Sequence, residues 1–372
     1  MDRLVNTTFS RIFRNKRIFI TGDTGFKGSW LSLWLHQLGA DVLGYALRPA
    51  KSQRLFNQLQ LPKRIHHING DIRDLSHLRK ITLQFRPEFL FHLAAQPLVR
   101  YSYNHPKETF DVNVGGSVNI LEIVRQTPTI RSVIYVTTDK CYKNKEWIWG
   151  YRENDELGGK DPYSASKAAA EIAIAAYRDS FFKGRRLGTA SVRAGNVIGG
   201  GDWSEDRIVP DCIRSLQRGQ PIKLRHPSSV RPWQHVLDPL CGYLQLAVAL
   251  YRNPKVFSSA WNFAPLEGPP RTVRQLAGEL IRYWGDGKIR LDIKSRSPHE
   301  AAFLRLNCEK AHSLLNWFPR WNFEQSIEKT VRWYKAIQEG ESAYLVSTQQ
   351  ISDYMSLTPQ RRVRRRPLTT RM

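Results

Sequence analysis

Cysteine is scarce in this chain: four in 372 residues, at positions 141, 212, 241 and 308, with no C-x-x-C pair among them. That spacing supports neither a zinc site nor a disulfide framework. Cys141, Cys212, Cys241 and Cys308 therefore read as small apolar residues, and no metal is expected. Long apolar runs are missing as well, for nothing approaches the roughly 18–20 consecutive apolar residues of a membrane helix. Residues 1–16 carry scattered Arg and Phe but no apolar segment followed by a small-residue cleavage pattern. The expectation is a cytoplasmic enzyme with no membrane partner. Acidic residues are few, with 33 Asp and Glu against 57 Lys and Arg, giving a net charge of +24. Zinc-finger, RNP-type and basic-zipper patterns are all absent, so nucleic acid is not expected as the main partner. Part of the positive excess sits in the tail at 360–367 (Q-R-R-V-R-R-R-P), which reads as a disordered basic appendage. Much of the rest lies along helical faces, as at Arg73, Arg79 and Lys80. Such a field also concentrates small anionic substrates.

Against these absences, 41% of the residues are hydrophobic, enough for a substantial core. Short runs rich in Ile, Val, Leu and aromatics at 17–21, 41–47, 66–72, 89–95, 132–138 and 189–194 predict strands. Amphipathic stretches at 30–38, 75–85, 114–125 and 164–182 predict helices between them. This rhythm implies βαβ units: an α/β fold with a Rossmann-type, doubly wound parallel sheet. Beyond about residue 200 the rhythm becomes irregular, with helices near 207–218, 237–251, 272–284 and 324–338. The expected division is an N-terminal extension (1–15), a dinucleotide-binding domain (16–200), a smaller C-terminal α/β substrate-binding lobe (201–357) and the tail (358–372).

Three motifs carry chemistry. After the first strand comes Thr21-Gly22-Asp23-Thr24-Gly25-Phe26-Lys27-Gly28, opening a helix. Its glycines permit a tight turn and close approach of backbone N–H groups to a pyrophosphate. The acidic residue that usually meets the adenosine ribose is missing; Arg48 stands near its position. Arg48 suits the 2′-phosphate of NADP, stacking on adenine, or solvent. Asp71 and Ile72, ending the third strand, are placed for an adenine contact, and Ala94, Ala95 and Gln96 follow the fourth strand where backbone must come close to a cofactor.

Next is Tyr163-Ser164-Ala165-Ser166-Lys167. The i,i+4 spacing puts phenol and ammonium on one helical face, where the cation favours the phenolate and makes a base near neutral pH. Thr137 and Thr138 end the preceding strand, and Asp161-Pro162 starts the helix. The third motif is Thr138-Asp139-Lys140 at that strand end. Alcohol oxidation needs only Tyr, Lys and a hydroxyl, so an added acid and amine imply a further proton transfer, such as elimination of water beside a carbonyl.

With these residues in view, the chain resembles the CDP-glucose 4,6-dehydratases of the extended short-chain dehydrogenase/reductase type. The resemblance rests on 22–31 (G-D-T-G-F-K-G-S-W-L), 92–101 (H-L-A-A-Q-P-L-V-R-Y), 138–142 (T-D-K-C-Y), 149–153 (W-G-Y-R-E) and 161–167 (D-P-Y-S-A-S-K). It continues through 193–203 (R-A-G-N-V-I-G-G-G-D-W), 231–236 (R-P-W-Q-H-V), 297–301 (S-P-H-E-A) and 351–356 (I-S-D-Y-M-S). It implies bound, recycled NAD, a nucleotide-sugar substrate and a homodimer packed through the Tyr-bearing helix and the helix near 114–125. It further implies that Tyr163, with Lys167 and Thr138, deprotonates the hydroxyl on carbon 4. Lys140 then removes the hydrogen on carbon 5 or helps to remove it, which requires a depressed pKa, and Asp139 protonates the hydroxyl leaving carbon 6. Cofactor residues by the same resemblance are Gly22, Thr24, Gly25, Phe26, Lys27, Gly28, Thr137, Tyr163 and Lys167. Substrate residues are Gln96, Arg193, Asn196, Arg207, Arg231, His235 and Glu300. Three positions depart from the family pattern: Asp23 for His, Arg48 for Asp and Phe303 for Tyr. The alternatives are a 4-epimerase, a dehydratase of another nucleotide sugar, and an inactive NAD-binding scaffold whose basic tail contacts nucleic acid or lipid.

Overall fold

The computed structural model describes residues 11–49, 54–265, 271–292 and 304–357. Its centre is a seven-stranded sheet of β1 (Arg17–Thr21), β2 (Asp41–Ala46), β3 (His66–Asn69), β4 (Phe89–His92), β5 (Ser132–Val136), β6 (Gly188–Ala194) and β7 (Ala260–Phe263). Every pairing is parallel, in the spatial order β7-β6-β5-β4-β1-β2-β3. Parallel strands covered on both faces read as unbroken apolar runs. Accordingly Ile18 to Ile20 and Phe89 to Phe91 are fully buried, whereas β3, at the edge, is the polar His-His-Ile-Asn.

The covering helices are α1 (Phe26–Gln37), α2 (Leu75–Phe85), α3 (Gly116–Gln126) and α4 (Pro162–Tyr177). Local chemistry fixes where they start. Asp74 accepts from the His77 amide at the head of α2, and Asp161 accepts from the Ser164 amide at the head of α4, with Pro162 at its first position. The four expected helices are present within a few residues of their expected ends.

The second half holds α5 (Ile208–Gln217), α6 (Leu237–Arg252), α7 (Val273–Trp284), α8 (Phe323–Gln338) and α9 (Ala343–Ser356), with two small two-stranded sheets. Both α7 and α8 begin in reciprocal capping boxes, Thr272 with Gln275 and Asn322 with Gln325. The division at residue 200 is not a clean cut. The chain returns to the main sheet at β7, beside β6, and α6 packs on β5 and β6. Helix α9 closes on α1, where the Trp34 indole N–H reaches Met355 Sδ at 3.2 Å. The reason is burial: the apolar faces of β6 and α1 need cover that the first 200 residues do not supply. No helix among the described residues is long and apolar enough to cross a membrane.

Candidate active site

Strand order reverses between β1 and β4, and in open α/β sheets such a switch point leaves a crevice beyond the carboxyl ends of the strands. Here it opens into a groove of about 810 Å³. Its floor is the residues that follow β1, β4, β5 and β6, and its outer wall comes from the short helix carrying Arg100 and the loops carrying Asp206 and Arg225.

At the β1 end the Gly22 backbone has φ +77°, and a Cβ there would lie 2.6 Å from the Ala94 nitrogen. A Cβ on Gly28 would lie 2.0 Å from the Gly22 carbonyl oxygen, so both positions require glycine. No side chain caps the start of α1 at Gly25, and its first N–H groups are left for an anion. Thr24, Phe26, Lys27, Asp71, Ile72, Ala94, Ala95 and Thr137 share the same groove. This cradle fits a dinucleotide pyrophosphate. Asp71 holds Arg73 in an ion pair at 2.6 Å, and its carbonyl accepts from the Tyr45 hydroxyl at 3.0 Å. Leu47 lines the groove, and Arg48 beside it is exposed. Asp23 is buried and paired with His67, Oδ2 to Nδ1 at 2.7 Å, and is not among the side chains that line the groove.

At the β5 end, Thr138, Asp139 and Lys140 form a tight turn straight after the strand, and α4 brings Tyr163 and Lys167 opposite. The Tyr163 amide donates to Ser102 Oγ at 3.2 Å, fixing the head of the helix. The Tyr163 hydroxyl bonds with Thr138, and Thr138 Oγ1 donates to Asp139 Oδ1 at 3.0 Å. Phenol, hydroxyl and carboxyl are thus consecutive. Burial raises the Asp139 pKa against the pull of Lys140, Thr138, Arg231 and Lys27. Burial likewise pushes Lys167 down to about 8, opposed by Glu171, and Lys27 down to about 8.

The phenolate expected at Tyr163 near neutral pH is not preformed. Burial pushes the hydroxyl up to about 12, outweighing Thr138 and Arg207, which favour ionisation. Its conversion to a base requires additional positive charge.

On the substrate side, Asn196, Arg207 and Arg231 line the groove. Arg207 pairs with the buried Asp202 at 3.0 Å. Sequence reasoning missed Arg100, Lys223 and Arg225, which add positive charge to the wall; Asp206 Oδ1 accepts from Arg100 at 3.0 Å and from Arg225 at 3.3 Å. Their signal was faint, since single basic residues outside a motif look like any solvated charge.

Three expected substrate residues lie elsewhere. The Gln96 side chain is turned into the protein, donating to Thr109 Oγ1 and accepting from the Leu98 amide. His235 is fully buried, edge-on to Trp321 with ring centroids 4.5 Å apart, and burial lowers its pKa to about 3. Arg193 is buried against Glu171 at 2.8 Å, because β6 points its side chain under α4 rather than into the groove. Glu300 and Phe303, like the basic tail, lie outside the described residues.

Comparison with known proteins agrees with this architecture. Residues 19–330 match the family described as GDP-mannose 4,6 dehydratase. The chain is 48% identical over 351 residues to the CDP-glucose 4,6-dehydratase of Salmonella typhimurium, covering 93% of this chain and 98% of that one. Its fold superposes on an epimerase from Methanothermobacter thermautotrophicus with TM-score 0.79 and 21% identity, over 93% and 98% of the two chains. On the dTDP-glucose 4,6-dehydratase of Bacillus anthracis, solved in complex with NAD, the TM-score is 0.73 at 22% identity, over 88% and 98%. With a family match across most of its length and a relative of nearly half identity, the chain belongs to the nucleotide-sugar dehydratase family described as GDP-mannose 4,6 dehydratase.

Proposed function

We propose that this protein converts CDP-glucose to CDP-4-keto-6-deoxyglucose and water, holding NAD in the Gly22–Gly28 cradle. The observation that carries the reading is the buried Asp139 set between the Thr138 hydroxyl and Lys140, beside Tyr163. The 48% identity to a CDP-glucose 4,6-dehydratase supports the choice of nucleotide. When bound, NAD supplies the hydride acceptor for carbon 4, the hydride donor for carbon 6 and a positive ring charge that favours the phenolate.

The chain's own residues move the protons. Tyr163 accepts the proton from the hydroxyl on carbon 4, and the resulting ketone acidifies the hydrogen on carbon 5. Lys140 takes that hydrogen as a proton while Asp139, kept protonated by burial, protonates the hydroxyl departing carbon 6 as water. Lys140 then returns its proton to carbon 5. Tyr163 has gained a proton and Asp139 has lost one, and Thr138 stands between them as the route that resets both. Asn196, Arg207 and Arg231 bind the nucleotide diphosphate, for which arginine supplies paired donors.

A 4-epimerase has no leaving hydroxyl to protonate, so a buried acid beside the base favours dehydration. The exposed side chains of Phe110, Ile172 and Phe181, with Ala165, Ala169 and Ala176 at helical spacing around Ile172, support a homodimer through α4. Ile172→Glu should then yield monomers in sedimentation; an unchanged dimer would place the interface elsewhere. A nucleotide-sugar substrate fits a reaction in the cytoplasm.

Incubation with CDP-glucose, dTDP-glucose, GDP-mannose and UDP-glucose, each with NAD or NADP, tests the function. The 4-keto product, read by its absorbance in alkali, should appear with CDP-glucose and NAD. Product with another nucleotide alone would move the specificity, and a preference for NADP would give a role to Arg48.

A further inference from the structure

Beneath the catalytic helix lies an ion pair that none of these proton transfers uses. Glu171 is one turn beyond Lys167 on α4, and Arg193 projects from β6 to meet it; their side chains are 2% and 3% exposed. Arg193 Nε donates to Glu171 Oε1 at 3.0 Å and Nη2 to Oε2 at 2.8 Å, a bidentate contact. The same carboxylate accepts from Thr137 Oγ1 at 2.5 Å and from Ser191 Oγ at 2.7 Å. Arg193 Nη1 is held by the Tyr142 hydroxyl at 2.7 Å and the Glu153 carbonyl at 3.0 Å. Glu171 therefore ties α4, which carries Tyr163 and Lys167, to the last residue before Thr138-Asp139-Lys140 and to β6.

A buried ion pair is weak evidence for stability, because desolvation offsets the attraction, so its presence calls for another reason. Charges around Lys167 supply one. Facing Lys167 are His92 from β4, the Val136 carbonyl at 3.5 Å, Cys141 from the turn after β5 and Lys27 from the first turn of α1. Tyr163 and Glu171 flank it on its own helix. His92 is neutral, its pKa lowered to about 3 by burial and by Lys167, and Lys27 is a like charge. Within this set Glu171 is the carboxylate. Burial opposes its charge, but Arg193, Thr137 and Ser191 together hold it below the usual carboxyl range.

We propose that Glu171, locked by Arg193, is a positioning residue that keeps the Lys167 ammonium charged and fixes α4 against the Thr138-Asp139-Lys140 turn. The inference rests on the reading of Tyr163 and Lys167 as the proton-moving pair. Arg193 thereby acts through Glu171 and not on substrate.

The test is the pH dependence of Lys167 itself, read without substrate. Acetylation of the full-length protein at a series of pH values, with mass spectrometry of the Lys167 peptide, gives the titration of that amine. Glu171→Gln should move it to lower pH by at least about one unit, the usual scale for losing a near counter-charge. The alkaline limb of kcat/KM for CDP-glucose should move with it. Should the buried Arg193 left alone in Glu171→Gln prevent folding, the double variant Glu171→Gln/Arg193→Met carries neither charge and supplies the test. A purely structural pair would give the double variant the wild-type titration; the proposal requires the shift to persist, and Glu171→Asp to restore it in part. An unmoved titration in either folded variant overturns the inference whatever the substrate proves to be. Absence of turnover by the unaltered protein, with the titration shifted, would instead sink the substrate reading and leave the inference standing.

Discussion

Tyr163→Phe is expected to lower kcat by about 10²- to 10⁴-fold, the usual worth of a positioned acid–base group. The substitution removes one oxygen whose protein partner is Thr138. The backbone contacts that hold the head of α4, the Tyr163 amide on Ser102 Oγ and its carbonyl under Ser166 Oγ, remain. Fold and melting temperature should therefore be close to those of the parent. KM should change little, because the proposed diphosphate contacts, Asn196, Arg207 and Arg231, are side chains that the substitution leaves in place. Steady-state kinetics with CDP-glucose checks this. A loss of less than tenfold would remove Tyr163 from the proton path.

Asp139→Asn is expected to split the reaction. Asparagine keeps the size of the side chain and can still accept from Thr138 Oγ1, but it cannot act as the acid that releases water. Product formation should fall by about 10²- to 10⁴-fold. Lys140 is untouched, so recovered CDP-glucose from reactions in heavy water should still gain deuterium at carbon 5. Loss of that exchange together with product would mean that Asp139 and Lys140 do not have separable roles. A stability signature accompanies the kinetic one. The folded-state pKa of Asp139 is raised above its ordinary 3.8, so the folded chain favours the protonated carboxyl. That contribution is present at low pH and is lost as pH rises through the raised value, because the buried group must then ionise or hold its proton at a cost. Asparagine never ionises, so its melting temperature relative to the parent should rise with pH across this window.

How much of the fold and the site was legible in the sequence follows from what each signal depends on. Local patterns read well: the strand ends bearing Gly22, Ala94 and Thr138 and the helix bearing Tyr163 and Lys167 are contiguous motifs, and the sheet needs only their rhythm. Strand β7 was missed, since Ala260–Phe263 is four residues long and gains its place only by pairing with β6. Helix α9 was missed because its buried face is made by distant partners, Trp34 and Asp238 among them. Arg193 and His235 show the other limit. Each sits in a segment that carries the family resemblance, yet which way its side chain points depends on the sheet: Arg193 turns under α4 and His235 into the ring cluster of Trp30 and Trp321. Glu171, four residues past Lys167 on α4, was another unread signal, since a carboxylate among Ala and Ile needs a cation. The free-standing bases Arg100, Lys223 and Arg225 acquire meaning only when folding brings them to one wall.

In the proposed reaction hydrogen moves within one sugar while the chain's residues remove water. CDP-glucose carrying deuterium at carbon 4, incubated with the protein in ordinary water, tests it most directly. The product should be CDP-4-keto-6-deoxyglucose with that deuterium on carbon 6, with a hydrogen on carbon 5 that Lys140 delivers after its ammonium exchanges with water, and with no net oxidation. Deuterium returned to carbon 4 of a sugar that keeps its 6-hydroxyl would describe an epimerase instead, and would contradict the roles of Asp139 as acid and Lys140 as base.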